Sequence, residues 1–178
     1  MPHFRAIAAA VPLLVAGSAC ADQIGDECVV ATDCSSAGDR FCDTTQGSPG
    51  GYCTIMGCDF DTCPDEAVCV RFFSVAATNR TCDPGSNRNM NGQYDCTEDG
   101  LHCCTADELC TLGETCVPRT AEIRFCMRKC GNDGDCRDGY ECRTEELMMR
   151  HGGEPVPPPE PVSGPLQPFC AAAPPSPS

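Results

Sequence analysis

The chain reads as a small, disulfide-rich, loop-dominated fold built from short β-hairpins and organised as two tandem cysteine-rich modules. Three observations carry that expectation: 19 cysteines among 178 residues, a composition too poor in apolar residues for a large core, and turn residues so dense that long helices have no room. From Cys20 onward the chain has 159 residues, with five Leu, three Ile, eight Val and six Phe among them. So small a share, joined to strong net charge, ordinarily leaves a chain disordered, because the apolar surface does not offset chain entropy. Disulfides make up the difference. Each contributes about 2 to 4 kcal/mol, chiefly by restricting the unfolded ensemble, and dense cysteines in a small exported chain are the usual form of such a framework.

The N-terminus supplies the export signal. Met1 to Arg5 is a short basic start, Ala6 to Ala16 is apolar, and Gly17, Ser18 and Ala19 are small residues before Cys20. This is the layout of a secretory signal peptide over residues 1–19, and the apolar run is well short of the roughly 20 residues that a spanning helix needs. Gly17-Ser18-Ala19-Cys20 resembles the lipobox of bacterial lipoproteins, with Gly17 where that family usually has Leu. The resemblance implies lipidation of Cys20 and a lipid-anchored tether over residues 20–27, which would hold the protein close to its membrane. Cleavage after Ala21, leaving a secreted protein, is the alternative. Either route takes Cys20 out of the disulfide pool and leaves an even number of cysteines.

Cysteine spacing suggests an internal duplication. Cys28, Cys34, Cys42, Cys53, Cys58, Cys63, Cys69 and Cys82 align with Cys104, Cys110, Cys116, Cys126, Cys130, Cys136, Cys142 and Cys170. The gaps match closely until the eighth pair, and an aromatic, Tyr52 or Phe125, precedes the fourth cysteine of each copy. The expected division is module 1 over 28–82, an Asn/Gly-rich connector over 83–103, module 2 over 104–151 and a Pro-rich tail over 152–178. Four bridges within each copy, plus one between the left-over Cys96 and Cys103, would use the whole pool; the pairings inside a copy stay open. Zinc is disfavoured, because the sequence contains no C-x2-C and only His102 and His151 follow the signal.

Cys130-Gly-Asn-Asp-Gly-Asp-Cys136-Arg-Asp-Gly-Tyr-Glu-Cys142 resembles an element of small secreted cysteine-rich modules of the Dickkopf and colipase-like group. Similar strings occur in cysteine-rich bacterial surface lipoproteins of unknown function, the family the chain resembles most as a whole. The resemblance implies an exported, disulfide-framed module and carries no partner with it.

Local signals place the elements. Gly50-Gly51, Asp83-Pro84-Gly85, Asn91-Gly92, Asp99-Gly100 and Asp138-Gly139 mark turns. Ala67 to Val75 is the most apolar stretch after the signal and predicts a strand, read as core in preference to a binding edge. Thr105-x-x-Glu108 predicts a capped helical turn, and Glu145 to Arg150 a second helix. Ten prolines after Gly152 predict an extended coil outside the packed fold, with Cys170 able to staple it back.

Asn87-x-Asn89-x-Asn91-Gly92-Gln93-x-Asp95-x-x-Glu98 matches the twelve-position EF-hand loop, in which oxygen ligands surround calcium and glycine permits the sharp turn. Asn at the first position leaves only Asp95 and Glu98 as carboxylates, so affinity should be near the millimolar range of extracellular modules. An Asn/Gly-rich linker with local turns is the competing reading. No other cofactor is required.

Net charge is -14, which turns away nucleic acid and anionic headgroups and favours basic proteins or divalent cations. Arg124, Arg128 and Lys129 form a local basic cluster, read as a solvated rim. No nucleophile elbow, zinc-protease helix, P-loop or dinucleotide-binding triplet is present. The expected role is therefore an exported binding or structural module in the cell envelope, without catalysis. Its partner would be an unidentified protein or envelope polymer. The alternative is a secreted protease inhibitor or toxin-like effector displaying a stapled loop such as Gly47 to Tyr52.

Overall fold

The computed structural model describes residues 23–45, 47–74, 80–82, 104–159 and 164–175. Among them the chain forms helix α1 (Ala31–Cys34) and strands β1 (Phe41–Asp43), β2 (Tyr52–Thr54), β3 (Ala67–Phe73), β4 (Glu108–Cys110), β5 (Cys116–Pro118), β6 (Glu122–Arg128) and β7 (Tyr140–Arg143). Helix α2 (Glu145–His151) and strands β8 (Glu154–Pro155) and β9 (Phe169–Ala172) follow. The strands pair antiparallel: β1 with β2, β4 with β5, β7 with β9, and β6, β3 and β8 in a three-stranded sheet. This is the disulfide-rich, loop-dominated class that the composition predicts.

β3 occupies the stretch read as a strand and is its sheet's central member, flanked by β6 along its whole length and by β8 at Val70 and Arg71. Val70 is fully buried, and Ala67 and Cys69 are buried beside it. The stretch is therefore core. Ile24, Tyr52, Met148, Val156 and Phe169 join Val70 in the main apolar cluster.

The eight bridges among the described residues follow one scheme. They are Cys28–Cys42 with Cys34–Cys53, Cys58–Cys69 with Cys63–Cys126, Cys82–Cys110 with Cys104–Cys116, and Cys130–Cys142 with Cys136–Cys170. In each set the first cysteine bonds the third and the second bonds the fourth. The third and fourth stand directly opposite each other across an antiparallel pair: Cys42 and Cys53, Cys69 and Cys126, Cys110 and Cys116, Cys142 and Cys170. Opposed strand residues carry side chains on the same face about 5 Å apart, so two bridges pack side by side and hold the preceding loop across the strands.

The expectation of four bridges within each copy is corrected here. Cys63–Cys126 and Cys82–Cys110 both join the stretch 28–82 to the stretch 104–151. The set that starts at Cys58 closes only after the whole set from Cys82 to Cys116 has been completed, because its fourth cysteine lies on β6. The alignment of spacings pairs Cys82 with Cys170 and Cys28 with Cys104, positions that hold different places in this scheme.

A carboxylate or hydroxyl just before the second cysteine closes three of the loops. Asp33 accepts the N–H groups of Val29 and Val30 at 2.8 and 3.0 Å. Asp135 accepts those of Gly131 and Asn132 at 2.7 and 3.1 Å. In the loop after Cys58 the Thr62 hydroxyl takes this place, accepting the Asp59 N–H at 2.8 Å. These backbone donors hold the Asp33 and Asp135 carboxyls below the ordinary aspartate value.

Two further expectations change. Thr105 and Glu108 exchange bonds, the Glu108 carboxylate accepting the Thr105 N–H at 2.9 Å and the Glu108 N–H donating to the Thr105 carbonyl at 3.0 Å. They make a turn into β4 instead of a helix, because Cys110 is tied into a hairpin. The Pro-rich tail also packs: β8 extends the central sheet, Val156 is buried, and Phe169 to Ala171 are buried on β9. Proline is tolerated there because Pro155 lies on a sheet edge, and Phe169 meets Phe72 edge-on with ring centres 6.2 Å apart. The expected helix from Glu145 is α2. Arg143 secures its end, donating to the carbonyls of His151, Gly152 and Ala172 at 2.8 to 3.0 Å.

Candidate functional site

The loops around the first and fourth bridge sets meet at a cleft of about 380 Å³, lined by Gly25, Asp26, Glu27 and Tyr52 on one side and by Asp135, Arg137 and Tyr140 on the other. Arg128 of β6 lies between them. The cleft exists because Tyr52, one residue before Cys53, and Tyr140, two before Cys142, are turned inward by the strands that carry those cysteines. Their rings stack with centres 5.2 Å apart.

Arg137 completes the stack. Its guanidinium lies 4.3 Å from the Tyr140 ring centre and 5.8 Å from that of Tyr52. It donates to the Tyr140 hydroxyl at 2.7 Å and to the Gly51 carbonyl. Its Nε is buried without an acceptor, so part of its charge is met only by the aromatic faces. The Tyr52 hydroxyl accepts the Arg128 N–H at 3.0 Å and donates to the Cys170 carbonyl at 3.3 Å. Burial pushes both phenols above the ordinary tyrosine value, Tyr52 far above it. Each hydroxyl faces a carbonyl acceptor, Tyr52 that of Cys170 and Tyr140 that of Pro49.

Backbone fit around the cleft is close. Gly25 has φ +96, and a Cβ there would stand 3.0 Å from the Arg128 Cβ. Gly51 has φ +71, and a Cβ would fall 2.0 Å from the Cys28 carbonyl oxygen. Only glycine meets both demands. Three carboxylates, Asp26, Glu27 and Asp135, face two guanidiniums. Asp26 pairs with Arg128 at 3.4 Å, and Asp135 is spent on backbone donors. Glu27 makes no ion pair among the described residues, which leaves it the acid most open to a ligand.

The sequence-derived candidates fall unevenly on this geometry. Cys28 to Cys82 and Cys104 to Cys170, apart from those outside the described residues, are all bridged. The close cysteine triplets, with sulfurs within 4.8 Å of one another, are halves of these bridges and offer no free thiolate. Cys20, Cys96, Cys103, His102 and the calcium candidates Asn87, Asn89, Asn91, Gln93, Asp95 and Glu98 lie outside the described residues. The basic cluster is spent on neighbours: Arg124 on Asp59 and Glu122, Arg128 on Asp26, and Lys129 on the Asp65 carbonyl. In the Gly47 to Tyr52 loop, Arg137 holds the Gly51 carbonyl and the Tyr140 hydroxyl donates to the Pro49 carbonyl at 3.2 Å, while Gly47, Pro49 and Gly50 are exposed.

Sequence reasoning did not single out Tyr140, Arg137 or Glu27. The available signal is position: an aromatic just before the third or fourth cysteine, and an arginine directly after the second. No family model matches the chain, and no curated protein or solved structure is similar to it at a significant level.

Proposed function

We propose that this is an exported protein held in the cell envelope by a lipid on Cys20, and that it binds a partner protein or envelope polymer in the cleft without catalysing a reaction. Eight disulfides are typical of extracellular proteins, and no described helix is long and apolar enough to cross a membrane. The observation that carries the binding reading is the Arg137, Tyr140 and Tyr52 stack beside the uncommitted Glu27. This is a preorganised surface whose ordering cost is met on folding, not on binding. The two cysteines lining the cleft, Cys136 and Cys170, are bonded to each other, which supports recognition over thiol chemistry.

A photo-crosslinking residue at Glu27 in the native envelope should trap one discrete product, and the same residue at Ser35, outside the cleft, should not. Equal trapping at both positions would contradict the cleft reading. Intact mass from the same fraction should show loss of Met1 to Ala19 with an added acyl mass; a lipid-free protein in the medium would overturn the anchor and favour the secreted inhibitor. Calcium at Asn87 to Glu98 is a separate part of the proposal. It predicts a higher melting temperature in millimolar calcium, lost in Glu98→Ala.

A further inference from the structure

Residues 55 to 57 run beside the outer edge of β6 as an extra, unnamed strand. The Cys126 N–H donates to the Ile55 carbonyl and the Gly57 N–H to the Arg124 carbonyl, both at 2.9 Å, and Met56 stands opposite Phe125. In an antiparallel pair, a residue flanked by such bonds points its own N–H and C=O away from the partner strand. The Met56 backbone groups accordingly have no partner among the described residues. The sheet therefore ends in an open edge at this residue.

The surface beside that edge is apolar. Met56 is 60% exposed and Ile123 is 37% exposed. Ile123 lies two residues from Phe125 on β6 and so shares its face, and Phe125 rests on Phe41 and Phe72 with ring centres 6.2 and 6.3 Å away. The methionine and the isoleucine are thus backed by packed aromatic rings. Directly after the edge come Asp59, which pairs with Arg124 at 2.8 Å, and Asp61, both exposed, in a chain of net charge -14.

We infer that this edge docks an extended segment of another protein in which apolar residues alternate with lysine or arginine. Strand addition would satisfy the Met56 backbone groups, the alternate apolar side chains would cover Met56 and Ile123, and the cations would face Asp61. The charge selects this occupant: two copies of so acidic a chain repel each other, as do the chain and an anionic membrane. The site is separate from the cleft and does not depend on it.

The test is an NMR titration of isotope-labelled, fully oxidised protein with two synthetic peptides, one alternating valine with lysine and one alternating valine with glutamate. The lysine peptide should shift the Met56 amide and the Ile123 methyl signals saturably, and the glutamate peptide should not. Met56→Pro removes the outward N–H, which the fold does not use, together with the exposed Met56 side chain, and should weaken binding about tenfold or more, the loss of at least one hydrogen bond. Ile123→Lys should weaken it as well while leaving the Val70 amide unmoved, which guards against misfolding of the first variant. No shift with the lysine peptide, equal binding by both variants, or the same residues shifting on dilution of the protein alone, which would mark a second copy as the occupant, would each overturn the inference.

Discussion

Two bridge sets of the same design behave differently. The set of Cys28, Cys34, Cys42 and Cys53 is finished within one short stretch, its bridges spanning separations of 14 and 19 residues. The set of Cys58, Cys63 and Cys69 waits for Cys126, and its second bridge spans 63 residues. Between Cys69 and Cys126 lies the complete set from Cys82 to Cys116. The first set is thus a local clip. The second fastens two parts of the chain together, and the long β3 and β6 pair is the seam it fastens.

The largest effect expected from that difference is thermodynamic. Loop-closure entropy rises with loop length, so removing Cys63–Cys126 by paired alanine substitution should cost about 4 kcal/mol, against about 3 kcal/mol for Cys28–Cys42. Guanidinium melts of the two variants measure both. Equal losses would mean that the strand pair, not the bridge, fastens the seam.

A second prediction concerns what else holds the open set closed. Glu154 on β8 is buried. It pairs with Arg71 of β3 at 2.6 Å and accepts the Leu112 N–H at 2.8 Å, so it joins the tail, the central strand and the inserted set. Glu154→Ala leaves a largely buried guanidinium and a backbone donor unpaired, at a cost of about 3 kcal/mol. Proteolysis of the tail should speed up in this variant, and an unchanged melting midpoint would sink the idea.

The smallest effect separates the sets by pH. Asp33, in the first set, has its carboxyl held below the ordinary 3.8 by backbone donors. Its contribution is therefore present above that value and lost as pH falls through the lower, folded value. Asp135 in the fourth set behaves alike. Thr62 in the second set has no charge to lose. The Val29 and Gly131 amide signals should move together on acidification, with the amide of Val70, fully buried on β3, unmoved. A matching shift at Val70 would show a general acid expansion instead.

The same contrast explains what the sequence discloses. Nineteen cysteines and few apolar residues determine the class, and an apolar run such as Ala67 to Phe73 announces a buried strand whatever its surroundings. Glu145 to His151 announces a helix by the same kind of local pattern. Pairing is another matter. Spacing constrains a cysteine only where its partner is near along the chain, so Cys82 and Cys126 look interchangeable until the register of β3 with β6 places Cys126 beside Cys69. Proline content hid Val156 and Phe169, because composition describes the average residue of the tail and not the few that are buried. The cleft was hidden for the same reason as the seam: Tyr52 and Tyr140 are far apart along the chain and stack only after the first and fourth sets have been brought together.

Peptide mapping of the unreduced protein after trypsin tests this account most directly. Cleavage frees Phe125–Arg128, which carries Cys126, and Thr81–Arg88, which carries Cys82. The account predicts Phe125–Arg128 linked to the Phe41–Arg71 peptide through Cys63, and Thr81–Arg88 linked to the Asn89–Arg119 peptide through Cys110. The opposite linkages, Cys63 to Cys82 and Cys110 to Cys126, would describe two self-contained copies and contradict it.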